Sequence, residues 1–473
     1  MTAVFKRLSA SLTRHDQDMT EGSIVRHLLT FAFPLLLGNI FQQFYNMVDT
    51  WVVGNYVSNE AFSAVGSVGP ITSLLIGFFT GLSSGAGAVI SQYFGAKQPQ
   101  KVRDTVHTAM LLTLLLGVVF TGVGVGMTPL MLRLMDTPPE VFPEAEEYLI
   151  IYFAGVLGLM IYNMGAGILR AVGDSVRPFL YLVVSALINT ALDLVFVLCF
   201  DMGVAGVAYA TIFAQGISAL LVVLSLMRSK TCIRMRLRDL RIHKAILSKI
   251  VGIGFPAGLQ MAITSFSNVF VQSYINYFGS DFMSGWTAYN KVDQLIVLPV
   301  QSVAIASTTF VAQNLGGGQE KRALRGMRIA LAMGAGSMIV LSVPVMIFAS
   351  PLVSFFNDKP EVVAYGTMLL RLLSPFYLCF CFNQIYAGAL RGAGNSRAPM
   401  ILMLFSFVVF RQIYLFVGTH WISNSIPMVA LSYPAGWLVA SISLMIYFRK
   451  VGFGKNRVSV NSGTEEAKNS EKI

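Results

Sequence analysis

The sequence predicts an all-α integral membrane protein in which twelve transmembrane helices form two pseudo-symmetric six-helix bundles. Three observations lead to this prediction. Twelve apolar segments each approach or exceed the roughly 20 residues that an α-helix needs to cross a bilayer. Basic residues are concentrated in every second connection between these segments. The second half of the chain repeats the first half.

The apolar segments can be followed along the chain by the absence of charged residues. Ten contain no charge, including the tenth, which begins directly after Arg371; the fifth holds Asp193 and the eleventh holds Arg411. Uninterrupted apolar runs of this length indicate helices and exclude the alternating pattern of a membrane β-barrel. In order, the segments are 28–48, 61–96, 108–132, 148–169, 178–200, 202–227, 250–280, 294–319, 329–357, 372–390, 398–418 and 421–448.

Lysine and arginine predict the topology. Of 34 basic residues, 29 lie in the N-terminal segment, in every second loop and in the C-terminal segment. The intervening loops contain only Arg133 and Lys359. Because short loops rich in basic residues stay on the cytoplasmic side during insertion, we expect a multi-pass protein of the plasma membrane with both termini in the cytoplasm.

Composition narrows the class of protein further. Charged residues make up 12% of the chain and hydrophobic residues 55%, whereas soluble domains contain about 25% charged residues. The net charge of +11 is explained by topology, so we expect the lipid bilayer and no nucleic acid as a partner. The chain contains no HExxH motif and no P-loop, and we therefore predict that it is not an enzyme. We expect a monomer.

The repeat has an offset of 221 or 222 residues. GILRAVGDSVRP at 167–178 returns as GALRGAGNSRAP at 388–399, and Pro34 falls on Pro256. Each half contributes an even number of helices, so the halves are parallel and related by an axis along the membrane normal. The predicted parts are a cytoplasmic N-terminal segment 1–23, an N-lobe 24–228, a basic cytoplasmic linker 229–249, a C-lobe 250–450 and a disordered tail 451–473.

Two pseudo-symmetric bundles are typical of transporters that work by alternating access, because one bundle can rock against the other around a central site. The architecture therefore favours a transporter over a structural membrane protein.

Polar residues inside the predicted helices identify a candidate site. An ionised aspartate at the centre of a membrane helix costs about 2.5–3.5 kcal/mol on insertion scales, so it requires a partner or a cavity. Asp49 ends a polar stripe along one face of the first helix, and Asn189 and Asp193 share a face of the fifth. The other members of the stripe, which are candidates for lining a substrate cavity, are Asn39, Gln42 and Asn46.

The rise of an α-helix places Asp193 and Thr211 at the same depth in the bilayer, in its outer half. Asp193 lies roughly 22 Å from the cytoplasmic end of its helix, and Thr211 lies about 10 Å from the outer end of the sixth. An all-oxygen set of Asp49, Asn189, Asp193 and Thr211 suits Na⁺ or a proton shared between the carboxylates. We expect no other metal and no cofactor; the alternative is that each aspartate only bonds to a neighbouring helix.

The second half lacks this acidic set. An offset of 222 places Val271 at the position of Asp49, and an offset of 221 places Phe410 and Tyr414 at the positions of Asn189 and Asp193. Ion coupling is therefore expected in the N-lobe alone. Arg411, deep in the eleventh helix, is expected either to form a structural pair or to contact an anionic group of a substrate.

Five pieces of the sequence carry a family resemblance: FPLLLGNIFQQFYNMVDTWVVG, ILRAVGDSVRP, NTALD, GVAGVAYAT and ALRGAGNSRAP. Through them the chain resembles the multidrug and toxic compound extrusion (MATE) family over about residues 20–450. The resemblance implies that inward movement of H⁺ or Na⁺ drives export of amphipathic, often cationic organic compounds through a cavity between two six-helix lobes. It also assigns Asp49, Asn189, Asp193 and Thr211 to the cation site, and Pro34 to a bend in the first helix.

A second transporter class remains open from the sequence. A lipid-linked oligosaccharide flippase of the related superfamily would have a cavity richer in arginine and usually additional helices, and Arg411 alone does not favour it. The sequence does not distinguish H⁺ from Na⁺, because oxygen ligands suit both.

Overall fold

The computed structural model describes residues 17–57, 59–135 and 137–454. Most of the predicted N-terminal segment (1–16) and of the predicted tail (455–473) lie outside these ranges. The described residues form helices and connecting turns with no strand, and twelve of the helices are long and apolar enough to cross a membrane. The predicted all-α membrane fold is confirmed.

The twelve helices are named here in chain order. They are α1 (Ile24–Tyr56), α2 (Asn59–Gly95), α3 (Pro99–Leu134), α4 (Phe142–Ala171), α5 (Val176–Cys199), α6 (Gly203–Arg228), α7 (Lys244–Asn276), α8 (Ser280–Gly316), α9 (Glu320–Ile347), α10 (Pro360–Gly392), α11 (Arg397–Ile422) and α12 (Ile426–Val451).

Several boundaries differ from the apolar segments for identifiable reasons. Helix α3 begins at Pro99, ahead of its apolar run, because Lys101 and Arg103 lie in its first turns. The ninth apolar segment is not one helix: α9 ends at Ile347 and a short helix, Ala349–Ser354, follows. Absence of charge therefore marks apolar sequence but does not mark where a helix ends.

The chain divides into two compact units. Unit 1 contains residues 17–18 and Phe33–Phe255, and unit 2 contains Met19–Ala32 and the described residues from Pro256 onward. The divisions fall inside α1 and α7, beside Pro34 and Pro256, which both lie within their helices. The first turns of α1 therefore belong to unit 2 and those of α7 to unit 1, unlike the predicted lobe ranges.

Helix α4 is the centre of unit 1 and packs against α2, α3 and α6. Glycines allow α6 to approach closely. A Cβ atom on Gly155 would lie 2.3 Å from Cγ2 of Ile212, and one on Gly158 would lie 3.3 Å from the backbone nitrogen of Gly216. Helix α5 is tied to α6 by the hydroxyl of Ser185, which donates to the carbonyl of Ala214 at 2.7 Å.

Helix α10, the fourth helix of its repeat, has the corresponding role in unit 2, where it packs against α8, α9 and α12. Its contact with α12 includes Asn383, which donates to the carbonyl of Trp437 at 3.1 Å. The same order of contacts in the two units agrees with the repeat found in the sequence.

A π-helical turn in α11 changes the register of the repeat. The turn spans Phe405–Phe410, and a single π turn adds one residue to a helix. Upstream of it the offset is 221, so that buried Pro399 matches buried Pro178. Downstream it is 222, because Arg411 is 3% exposed and Leu415 0%, as Asn189 and Asp193 are 2% and 0% exposed.

This register corrects the ungapped comparison. Arg411 occupies the position of Asn189, and Leu415 occupies that of Asp193. Phe410 and Tyr414, which the constant offset placed there, lie one residue away from the equivalent positions because of the inserted residue.

Candidate functional site

The two predicted carboxylates meet inside unit 1. The side chains of Asp49 (α1) and Asp193 (α5) face each other within hydrogen-bonding reach. Asp193 is completely buried and Asp49 is half-buried. Since ionised carboxylates only accept hydrogen bonds, the pair needs a proton or a cation between its oxygens to attract rather than repel.

Several polar atoms around this pair have no hydrogen-bond partner among the described residues. They are Oδ1 of Asp49, both carboxylate oxygens of Asp193, and both Oδ1 and Nδ2 of Asn189. Buried polar groups in proteins are normally bonded, because an unpaired group loses its hydration without replacement. Orphaned atoms concentrated on adjacent helical turns therefore indicate a site that takes up an ion, a proton or a polar ligand.

Tyrosines surround the carboxylates and were missed by the sequence analysis. Tyr148 (α4) lies within electrostatic range of both Asp49 and Asp193, and Tyr45 (α1) lies within range of Asp49. Tyr148 also stacks on Tyr152, with ring centroids 6.2 Å apart and planes inclined by 14°. The spacing of four between these two residues on α4 was the available signal, because it places both rings on one face.

An amide extends the polar group on α6. The side chain of Gln215 lies beside the hydroxyl of Tyr152, and its Oε1 atom has no hydrogen-bond partner among the described residues. Close packing of α4 on α6 positions this pair, since Gly155 and Gly158 follow Tyr152 along α4. Gln215 lies one helical turn beyond Thr211, so it could have been recognised on the same face of α6.

The hydroxyl of Thr211 bonds to its own helix rather than to the carboxylates of the predicted site. It is half-buried on α6 and donates its hydroxyl to the carbonyl of Val207 at 3.0 Å. It makes no hydrogen bond to Asp49 or Asp193, and only its oxygen lone pairs remain available to an ion.

The other residues of the predicted stripe lie along α1. Gln42 is half-buried and hydrogen bonds with Tyr45, whereas Asn39 is half-buried and Asn46 is exposed. Pro34 is buried inside α1, next to the division between the units. These residues therefore follow the helix that carries Asp49 but are not all adjacent to the carboxylates.

The remaining charged residues of interest lie in unit 2. Arg411 is buried and donates from Nη2 to the hydroxyl of Ser267 at 2.8 Å. Asp293 (α8) accepts a hydrogen bond from Tyr289 at 3.2 Å, and Lys291 is exposed. Lys291 and Asp293, two residues apart on α8, therefore lie in different environments.

The arrangement in unit 1 is suited to reversible binding of one small cation. Carboxylate, amide and hydroxyl oxygens are the ligands that hard cations prefer, and two facing carboxylates can instead share a proton. The described residues contain no group of three or more His, Cys, Asp or Glu side chains that could hold a transition metal.

Comparison with known proteins identifies the family. The MatE family model matches residues 34–195 and 256–417, one match in each repeat, and its two matches are offset by 222 residues. A "Probable multidrug resistance protein YpnP" of Bacillus subtilis is 30% identical over 432 residues, which cover 91% of this chain and 96% of the relative. A second Bacillus subtilis protein, "Probable multidrug resistance protein YoeA", is also 30% identical, with coverage of 92% and 96%.

Solved structures agree with the fold. A structure described as the outward-facing conformation of a multidrug resistance MATE family transporter superposes with a TM-score of 0.87. It is 24% identical in sequence and covers 93% of this chain and 98% of that chain. The extent of the family match, the two relatives and the twelve apolar helices lead to one conclusion. The chain is a multi-pass membrane protein that belongs to the MatE family of transporters.

Proposed function

We propose that this protein is a secondary antiporter of the plasma membrane that exports amphipathic, cationic organic compounds in exchange for H⁺ or Na⁺. It acts as a monomer, with both termini in the cytoplasm. The observation that carries the proposal is the facing pair of Asp49 and Asp193 in unit 1, with orphaned polar atoms on Asp193 and on neighbouring Asn189.

Coupling follows from the two charge states of this pair. With a proton or Na⁺ between the carboxylates, α1 and α5 are held together through Asp49 and Asp193. Without it, two like charges face each other in a poorly solvated place and favour separation of the helices. Ion binding therefore biases a two-state element, which is what an ion-driven transporter requires.

The same charges favour a cationic cargo. A positively charged organic compound and the coupling ion would both be attracted by Asp49 and Asp193, so that occupancy by one disfavours occupancy by the other. Exchange in opposite directions follows from this competition. The names of the Bacillus subtilis relatives, both probable multidrug resistance proteins, support the choice of small organic compounds as substrates.

The test is transport by purified protein in proteoliposomes, with pH and Na⁺ gradients imposed separately and a fluorescent organic cation as cargo. We expect Asp49→Asn and Asp193→Asn to express normally and to lose gradient-driven transport, because an amide cannot hold the exchanged charge. The matched control is Asp201→Asn. Asp201 is exposed in the α5–α6 connection at a φ of 52°, a conformation that asparagine also tolerates.

Each outcome bears on the proposal. Loss of transport in both site variants but not in Asp201→Asn supports the site, and the gradient that drives the wild type identifies the ion. Full gradient-driven transport by Asp49→Asn would remove that residue from the mechanism. Loss in only one of the two site variants would argue against a shared binding site.

A further inference from the structure

Arg411 is a buried cation without an ion pair. Its side chain lies near the middle of α11, about 21 Å by helical rise from Arg397 at the start of that helix, and it is 3% exposed. No described carboxylate lies within ion-pair distance of it. An arginine at the centre of a membrane helix costs about 2.5–3.5 kcal/mol on insertion scales, so a compensating group is expected.

The surroundings of Arg411 hold its guanidinium in place but do not saturate it. Nη2 donates to Oγ of Ser267 at 2.8 Å, and Cζ lies 5.0 Å from the ring centroid of Tyr433. The Nε atom is buried and has no hydrogen-bond partner among the described residues. Stacking covers the face of the guanidinium and leaves the Nε edge to receive an acceptor.

The π-helical turn contributes to this geometry. The hydroxyl of Ser267 donates to the carbonyl of Phe407 inside the turn at 3.0 Å, so its oxygen is oriented as an acceptor for Arg411. The amide of Gln412 lies 3.3 Å from the same oxygen. Helices α7 and α11 are therefore joined at this level by donors that converge on Ser267.

Asp293 shares a neighbour with Arg411 but does not neutralise its charge. Asp293 lies within electrostatic range of Tyr433, as Arg411 does, but it accepts a hydrogen bond from Tyr289. Tyr433 thus interacts electrostatically with both a buried cation and a half-buried acid, which form no ion pair with each other.

These residues occupy the positions of the cation site in the other repeat. With the offset of 222, Ser267, Arg411 and Tyr433 correspond to Tyr45, Asn189 and Thr211 of unit 1. Asp49 and Asp193 are replaced by Val271 and Leu415, both fully buried. The equivalent place in unit 2 therefore lacks both negative charges and holds a positive one.

A cavity of about 330 Å³ lies at the far ends of α7 and α11, and Arg411 is not among the residues that line it. By helical rise, Thr419 is about 12 Å further along α11 than Arg411, and Tyr274 is about 10 Å further along α7 than Ser267. Tyr274, Tyr277 and His420 in its wall suit the apolar, aromatic body of a small molecule. The full lining is Ser273, Tyr274, Tyr277, Thr419, His420 and Asn424.

We infer that Arg411 is the recognition site for a carboxylate group on an organic substrate, and that it gives the protein a preference for substrates that carry one. A carboxylate would accept hydrogen bonds from Nε and from a remaining N–H of the same guanidinium, an arrangement that arginine forms readily. This inference rests on the proposed export of organic compounds, but its site lies in unit 2 and is separate from the coupling site.

The test measures binding rather than transport. Full-length protein in lipid nanodiscs is titrated with a fluorescent zwitterionic carboxyrhodamine and with its methyl ester, which lacks the ionised carboxylate. We expect the wild type to bind the acid more tightly. Arg411→Gln should weaken binding of the acid by about tenfold to hundredfold, the value of a charge-assisted hydrogen bond, and leave binding of the ester unchanged.

Controls separate recognition from folding. Arg371→Gln removes another unit 2 arginine, which is exposed and donates to the carbonyl of Met346, and it should not affect the preference for the acid. Retained ester binding shows that Arg411→Gln is folded. Arg411→Lys keeps the charge without the planar fork and should give an intermediate affinity for the acid.

Three results would overturn the inference: equal binding of acid and ester by the wild type, equal weakening of both ligands in Arg411→Gln, or a full preference for the acid in Arg411→Gln. Chloride raising the melting temperature of the wild type but not of Arg411→Gln, with no preference for the acid, would identify a halide site instead. Asp49→Asn should keep the preference for the acid, so failure of the coupling proposal is distinguishable from failure of this one.

Discussion

The facing carboxylates predict that Asp193→Asn makes the protein more stable. Two like charges about 4 Å apart repel by roughly 4 kcal/mol where the effective dielectric constant is near 20. Asp49 is half-buried, so solvent screens part of this repulsion. The amide of the variant can also donate to Asp49. We expect a net stabilisation of about 2 kcal/mol when both wild-type carboxylates are ionised.

The assay is thermal unfolding of detergent-solubilised protein at a fixed scan rate, because unfolding of large membrane proteins is often irreversible. For a unit of about 200 residues, 2 kcal/mol corresponds to about 4–8 °C. The difference between Asp193→Asn and the wild type should be largest at alkaline pH without Na⁺. It should shrink as the pH falls, because a proton then bridges the wild-type pair.

Sodium provides the second arm of the same experiment. If Na⁺ occupies the site, a concentration 100 times its dissociation constant stabilises the wild type by about 2.7 kcal/mol. Asp193→Asn should not respond, and Asp201→Asn should respond as the wild type does. Equal melting temperatures for the wild type and Asp193→Asn at alkaline pH without Na⁺ would refute the reasoning, because the carboxylates then do not repel each other in the folded protein.

Two further predictions concern a helix contact and a group of hydrogen bonds. Gly155→Ala should destabilise unit 1 by about 1–3 kcal/mol, because its new Cβ would contact Ile212. The control Gly126→Ala has nothing within 4 Å of the new Cβ and should be neutral or slightly stabilising. Equal melting temperatures of the two variants would mean that α4 and α6 are not this close. Arg322 donates to the carbonyls of Met19, Glu21 and Gly22, so Arg322→Lys should speed hydrogen exchange at residues 19–24 by about tenfold or more. Unchanged exchange, as expected for the exposed control Arg325→Lys, would contradict that role.

The fold could be predicted from the sequence because the bilayer imposes a length and a polarity that appear directly in the residues. Twelve apolar runs gave the twelve spans, and the repeated motif at 167–178 and 388–399 indicated two equivalent halves. Helix ends were less predictable. Trp421 starts the twelfth apolar segment but belongs to α11. The turn that follows it, at 423–425, is polar but uncharged, so the absence of charge did not reveal this boundary.

The site was predictable only in part. Asp49 and Asp193 could be identified because an acid in a membrane helix is unusual, and their depths could be estimated from helical rise. Tyr148 and Tyr152 could not be identified in the same way, because tyrosine is common in membrane helices and only the packing of α4 brings Tyr148 near the carboxylates. The position of Arg411 required the structure, because sequence letters do not show a π turn.

That single turn has a consequence for how duplicated proteins diverge. An extra residue in a regular α-helix would rotate everything beyond it by about 100°, and the helix would present different side chains to its neighbours. The π turn at Phe405–Phe410 absorbs the extra residue locally, so the remainder of α11 keeps its orientation. One half can thus carry an extra residue while its helix keeps its orientation, so that matching positions of the two halves hold groups of opposite charge.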